Sequence, residues 1–181
     1  MKTFLFWICI FCFGWCLWSC ERTQLGPEVP PEIHFEKLIF DDIINGEFGI
    51  VKIAILTFSF VDDNGDLGVR NEGTNDTLSC VYVVWQKKLE DGTYENYEFD
   101  TGIVQTFRIP YNEQMNKDEA QNKRLKGKMD ITLFPPSGPP PGMDSVRLEY
   151  YIMDRALLKS NIDHTPVFSI LNTVGLEIKK E

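Results

Sequence analysis

Between residues 33 and 178, segment after segment carries apolar side chains at every second position, a period that fits β-strands and no amphipathic helix. Val51, Ile53 and Ile55 alternate with Lys52, Ala54 and Leu56, and Phe58 and Phe60 follow. Both faces of that segment are largely apolar, which predicts a central strand. Leu78 to Lys88 is rich in Val, Tyr and Trp and runs into Asp91-Gly92, a hairpin signal, with Tyr94 to Phe99 as the return. Ile103 to Ile109 is a further strand, stopped by Pro110. Met129, Ile131 and Leu133 alternate with Lys128, Asp130 and Thr132, and Val146, Leu148, Tyr150 and Ile152 alternate with Arg147, Glu149 and Tyr151. Val167 to Ile178 reads as the closing strand, and polar Asn112 to Lys126 as a short helix or a hairpin tip. Seven to eight strands without a long helix predict an all-β chain folded as a two-layer antiparallel sandwich. The charges and loops do not supply the lipid-facing apolar band of a transmembrane barrel.

The chain begins differently. Lys2 precedes an apolar run from Thr3, which ends at Leu17-Trp18-Ser19-Cys20. A basic residue, an apolar core and a small residue form an export signal. The run is slightly short for the ~20 residues of a membrane span. A cysteine after the small residue resembles the lipobox of bacterial lipoproteins, although Trp18 is bulkier than the residue usual there. That resemblance implies removal of residues 1–19 and acylation, as by palmitate, at Cys20. Residues 20–32, with Pro27, Pro30 and Pro31, then read as an extended tether, and 33–181 as one domain. The expected address is the cell envelope, anchored by lipid in the outer membrane, so the membrane is one partner.

Composition narrows the function classes. Removing residues 1–19 takes away Lys2 and no acid, leaving 17 basic against 27 acidic side chains. So acidic a domain repels phosphate backbones, and a nucleic-acid partner is not expected. Cys9, Cys12 and Cys16 leave with the signal, so Cys80 has no thiol to pair with once Cys20 carries lipid. Among Leu78, Val81 and Val83, Cys80 reads as a strand residue and not as a nucleophile. The two histidines, His34 and His164, belong to no metal-binding or nucleophile motif, and His164 reads as a solvated loop residue. No phosphate loop, HExxH or nucleophile elbow is present, so no enzyme is expected.

One loop carries candidate metal ligands. In Asp62-Asp63-Asn64-Gly65-Asp66-Leu67-Gly68, oxygens at alternate positions can converge on Ca²⁺, with Asp62, Asn64 and Asp66 as ligands. The same residues also suit a plain polar turn. Leu67 stands where an EF-hand has its turn glycine, and Gly73 where it has its bidentate glutamate, so the loop is no EF-hand. A second segment runs Asp154-Arg155-Ala156, Ser160-Asn161, Thr165-Pro166. It resembles the closing strands of bacterial immunoglobulin-like and fibronectin-like modules. Together with Phe58-Ser59-Phe60-Val61-Asp62 and the loop, it is similar to uncharacterised exported lipoproteins of the Bacteroidota. That resemblance implies an exported lipoprotein with an immunoglobulin-like sandwich and no established activity. Asp154 is a conditional fourth ligand. If Tyr94–Phe99 and Ile103–Ile109 are pieces of one strand, both loops lie at one pole and it reaches the loop; if they are two strands, the loops lie at opposite poles unless a crossover between sheets resets the parity. Otherwise it pairs with Arg155 or caps its turn.

The remaining candidates concern binding. Trp85, Tyr94 and Tyr97 could form an exposed platform for sugar rings or a protein, although strands also favour aromatics as core. Pro135 to Gly142 reads as a stiff connection or a polyproline recognition segment. Asp76-Thr77-Leu78 and Asp144-Ser145-Val146 look like the O-glycosylation triplet of Bacteroidota, which makes Thr77 and Ser145 candidate acceptors. The expected function is a non-enzymatic binding or accessory subunit of the envelope, with an envelope protein as partner. The alternatives are a glycan ligand within an uptake system and a structural role in an outer-membrane machine.

Overall fold

The computed structural model describes residues 29–46, 49–68, 80–98, 102–109, 124–135, 144–171, 173 and 175–180. Cys20, Thr77 and the 136–142 part of the proline segment lie outside them. The strands are β1 (Glu32–Asn45), β2 (Gly49–Asp62), β3 (Cys80–Lys88), β4 (Tyr94–Asn96), β5 (Val104–Arg108), β6 (Leu125–Leu133), β7 (Val146–Met153), β8 (Asp163–His164) and β9 (Glu177–Lys179). They form two antiparallel sheets, ordered β6-β2-β1-β9 and β4-β3-β7-β8, with β5 also on β3. The all-β sandwich expected from the two-residue period is present, and β2 is internal to its sheet, as its two apolar faces required.

The core follows from alternation. Ala54, Leu56, Phe58 and Phe60 of β2 face Val146, Leu148, Tyr150 and Ile152 of β7, with Val81, Val83 and Trp85 of β3 beside them. The Phe58 and Tyr150 rings meet across the sheets at 5.3 Å. On β1 the inward residues are Ile33 and Phe35, then Leu38 and Phe40, a change of phase. A bulge between Phe35 and Lys37 absorbs the extra residue and returns the later half to the core.

One open alternative is decided and one expectation changes. β4 pairs with Gln86–Lys88 and β5 with Cys80–Val84, while β7 pairs with Cys80–Lys87. With β7 on one edge of β3, β4 and β5 lie end to end on the other, as one interrupted strand. The 167–178 segment is not one strand. Phe168 bridges to Val146, and the chain then crosses to pair β9 with β1. Phe168 stacks obliquely on Phe40 at 5.3 Å and edge-on to Trp85 at 6.2 Å, closing the core between the sheets.

Side chains at the end of the chain fasten the sheets together. Ile33 N donates to Asn161 Oδ1 at 2.8 Å, and Asn161 Nδ2 donates to Ile33 O at 2.9 Å. Phe35 N donates to Asp163 Oδ2 at 2.6 Å. Ser160 and Thr165 take the open edge of β7. Ile152 N donates to Ser160 Oγ, and Leu148 N donates to Thr165 Oγ1. The Ser160-Asn161 and Thr165 motif is therefore a set of backbone clamps.

Candidate functional site

The inward rows of β2 and β7 each run one step too far. In the series 54, 56, 58, 60 the next member is Asp62; in 146, 148, 150, 152 it is Asp154. Both are fully buried. The strands pack face to face, so the two aspartates lie under one pole, where the 62–68 and 154–158 loops touch. Ala156 N donates to Asp66 Oδ2 at 3.2 Å. This meets the condition set for Asp154, because β4 and β5 form one interrupted strand.

The carboxylates at this pole are unequally satisfied. Asp62 Oδ1 accepts from Asn64 N at 3.0 Å, and Oδ2 accepts from Leu67 N at 2.9 Å. These bonds fold the loop back over Asp62, with Gly65 and Gly68 at φ of 67° and 102° and Leu67 set into the core. Asn64 Nδ2 donates to Val29 O at 3.1 Å, and Asp63 pairs with Arg124 at 2.8 Å. Asp154 Oδ1 accepts from Leu158 N at 2.8 Å, capping its turn. Two buried oxygens, Asp66 Oδ1 and Asp154 Oδ2, have no hydrogen-bond partner. Burial, reinforced by Asp66 and Asp62, pushes the Asp154 carboxyl up to about 6. Burial and the charge of Asp62 also raise Asp66, against the pull of Arg155. Of the expected ligands, Asp62 accepts from the loop backbone on both oxygens, and Asn64 donates through its amide nitrogen to Val29. Among the described residues, no three His, Cys, Asp or Glu side chains are arranged to hold a metal.

The aromatic candidates separate. Trp85 is fully buried in the sandwich and belongs to no exposed platform, because its position on β3 has the inward parity of Val81 and Val83. The Arg147 guanidinium covers the Tyr94 ring at 3.5 Å. Tyr97 packs against the core, and its N–H donates to Trp85 O at 2.7 Å. Tyr82 and Tyr151 stack on each other at 4.7 Å, with Lys159 Nζ 3.8 Å from the Tyr151 centroid. Ser145 is exposed at the start of β7, and its carbonyl accepts from Lys88 N.

His164 is not a solvated loop residue. It lies in β8, 3.1 Å from Glu149, in a network that continues through Gln86 to Arg147 and Asn96. On the outer face of the first sheet, an open cleft of about 490 Å³ is lined by Lys37, Lys128, Lys179 and Lys180, with Glu36, Thr57 and Asp130. Lys128 pairs with Glu36 at 2.9 Å, and Thr57 Oγ1 donates to Asp130 at 2.6 Å, so much of the lining is already matched.

Sequence reasoning missed one surface. β1 and β2 stay paired out to Asn45↔Gly49, whereas β6 reaches only Ala54 and β9 only Ile39. Among the described residues, 41–45 and 49–52 thus extend past the neighbouring strands as a two-stranded ribbon. Ile44 and Ile50 face each other across it and are 89% and 75% exposed, with Ile43 at 38%. Ile43-Ile44 and Ile50-Val51 show in the sequence, but as ordinary strand residues.

No protein-family model, no curated protein and no solved structure matches the chain. Among the described residues, no helix is long and apolar enough to cross a membrane.

Proposed function

We propose that the protein is a lipid-anchored envelope subunit with an accessory, non-enzymatic role, and that its β1–β2 ribbon docks on a partner protein. The observation that carries this reading is the pair of isoleucines at the ribbon tip. An exposed, adjacent Ile44 and Ile50 on a projecting ribbon costs solubility unless something covers it. The ribbon also offers strand edges that lack a partner among the described residues, beyond Ala54 on β2 and beyond Phe40 on β1. Such edges accept an added strand, in which backbone bonds give affinity and the isoleucines give selectivity.

Position supports the same reading. The lipidated Cys20 inferred from Leu17-Trp18-Ser19-Cys20 precedes Glu32, which pairs with Val61 at the far end of the hairpin from Asn45. A tether at that end leaves the ribbon pointing away from the membrane. The strand order supports an immunoglobulin-like reading of the sandwich, with β1-β2-β6 and β3-β7-β8 in the places of ABE and CFG and a buried Trp85 on the third strand. The glycan alternative loses its platform, since Trp85 is buried and Tyr94, Tyr82 and Tyr151 already carry a cation or another ring.

The test is Ile44→Asp with Ile50→Lys in the full chain. The pair is exposed, so the melting temperature should be unchanged. Mild detergent extracts should show the parent in a larger complex on a native gel and the variant at its own mass. The same large complex with both proteins rejects the ribbon as the docking surface.

A further inference from the structure

The pole beneath the 62–68 and 154–158 loops holds two buried carboxylate oxygens without a hydrogen-bond partner, and the charge of Arg155 acts on it. Asp62, Asp66 and Asp154 bring three carboxylates together, and Arg155 is the cation whose charge acts on Asp66 there. Among the described residues, these three carboxylates against one guanidinium leave two negative charges when all are ionised, the charge one divalent ion would match. Asp62 has a backbone N–H on each oxygen, Asp66 Oδ2 accepts from Ala156 N, and Asp154 Oδ1 accepts from Leu158 N. What remains is one buried oxygen without a hydrogen-bond partner on each of the other two carboxylates, Asp66 Oδ1 on a half-buried residue and Asp154 Oδ2 on a fully buried one. Asp154 has no exposed surface. A buried carboxylate oxygen without a donor or a cation is costly, on the order of 1–3 kcal/mol or more.

We propose that this pole is a calcium site in which Asp66 Oδ1 and Asp154 Oδ2 are the carboxylate ligands and the ion ties the end of β2 to the end of β7. The ligand chemistry is hard oxygen throughout, without imidazole or thiolate, which suits Ca²⁺ and not the softer transition metals. Calcium also tolerates a coordination sphere completed by loop carbonyls and water, whereas Mg²⁺ demands a tight octahedron. Only two carboxylates are free to bind, in keeping with the lack of a three-carboxylate cage. The site therefore belongs with the weak calcium sites of extracellular modules, with dissociation constants on the order of 10⁻⁴–10⁻³ M. Asp62 is a positioning residue: its two backbone bonds set the loop that carries Asp66.

The experiment uses the full chain in detergent, stripped with chelator and then titrated with CaCl₂ or MgCl₂. Calcium at about ten times its dissociation constant should raise the melting temperature by about 3–6 °C, with a much smaller response to magnesium. Calorimetric titration should give one calcium per chain. Asp154→Asn keeps an oxygen for Leu158 N and removes the ligand charge; it should melt higher than the parent in chelator and lose the calcium response. Asp66→Asn should also lose the response. Asp63→Asn, on the exposed Arg124 pair, should keep it. Absence of both a melting shift and binding heat at 10 mM calcium overturns the site. So does a calcium response that survives in both Asp154→Asn and Asp66→Asn. Because the calorimetry is done on the unmodified protein, the proposal stays testable if either variant fails to fold.

Discussion

Asn161→Ala should loosen the seam between the sheets at one identifiable point. Asn161 exchanges two hydrogen bonds with the backbone of Ile33, at 2.8 and 2.9 Å, and Ile33 is fully buried. A neutral hydrogen bond contributes about 1 kcal/mol net, so loss of both costs about 2 kcal/mol. For a domain of this size that lowers the melting temperature by about 4–8 °C. Thermal and urea unfolding of the full chain measure it, and hydrogen exchange should quicken at the Ile33 amide. Asn161→Asp sharpens the test. It keeps an acceptor for Ile33 N but sets a carboxylate oxygen against Ile33 O, so at neutral pH it should cost at least as much as alanine. Near pH 4 the protonated acid can donate again and should recover part of the loss. A loss under about 0.5 kcal/mol for both variants would falsify the clamp.

Leu157 is an exposed non-glycine residue at φ 65°, so Leu157→Asn should raise stability by about 0.5–1 kcal/mol; a clear loss would mean that its side chain holds a contact the fold needs. Asp154 has its carboxyl raised to about 6 by burial, with Asp66 and Asp62 adding to the shift and the Leu158 N–H opposing it. The native state then holds that proton more tightly than the unfolded chain does, so stability is highest with Asp154 neutral and falls as pH rises from the ordinary carboxylate range through about 6. In calcium-free buffer the parent should lose melting temperature relative to Asp154→Asn between about pH 4 and 6, and parallel curves would contradict the shift. Cys20→Ala should leave precursor or unlipidated protein; unchanged migration and membrane fractionation would end the lipoprotein reading.

Much of the fold is legible because alternation is local. The rows 54–60 and 146–152 identify core faces without knowledge of their partners, and Asp91-Gly92 marks its hairpin, with Gly92 at φ 86°. The same alternation, carried one step further, reaches Asp62 and Asp154, yet their burial depends on the loops that cover the strand ends. The bulge at Glu36 and the union of β4 and β5 depend on which strand lies alongside, and a single sequence does not contain that. Trp85 illustrates the limit at the site. Its residue type suits a binding face as well as a core, and only the shared parity with Val81 and Val83 on β3 decides between them. The Ser160, Asn161 and Thr165 motif was visible as a pattern, but its partners Ile152, Ile33 and Leu148 lie on other elements, in one case 128 residues away. The ribbon was missed for a different reason. Ile44 and Ile50 look like strand interior until the neighbouring strands are seen to stop short.

The ribbon as a docking surface is tested most directly by photo-crosslinking in intact cells. A photoreactive residue is placed at Ile44 on the ribbon tip and, separately, at exposed Thr132 on the outer face of β6. The expected result is one discrete adduct from position 44, lost when Ile50→Lys is added, and none from position 132. Adducts of equal yield from both positions, or none from position 44 in a protein that folds and reaches the membrane, would contradict it.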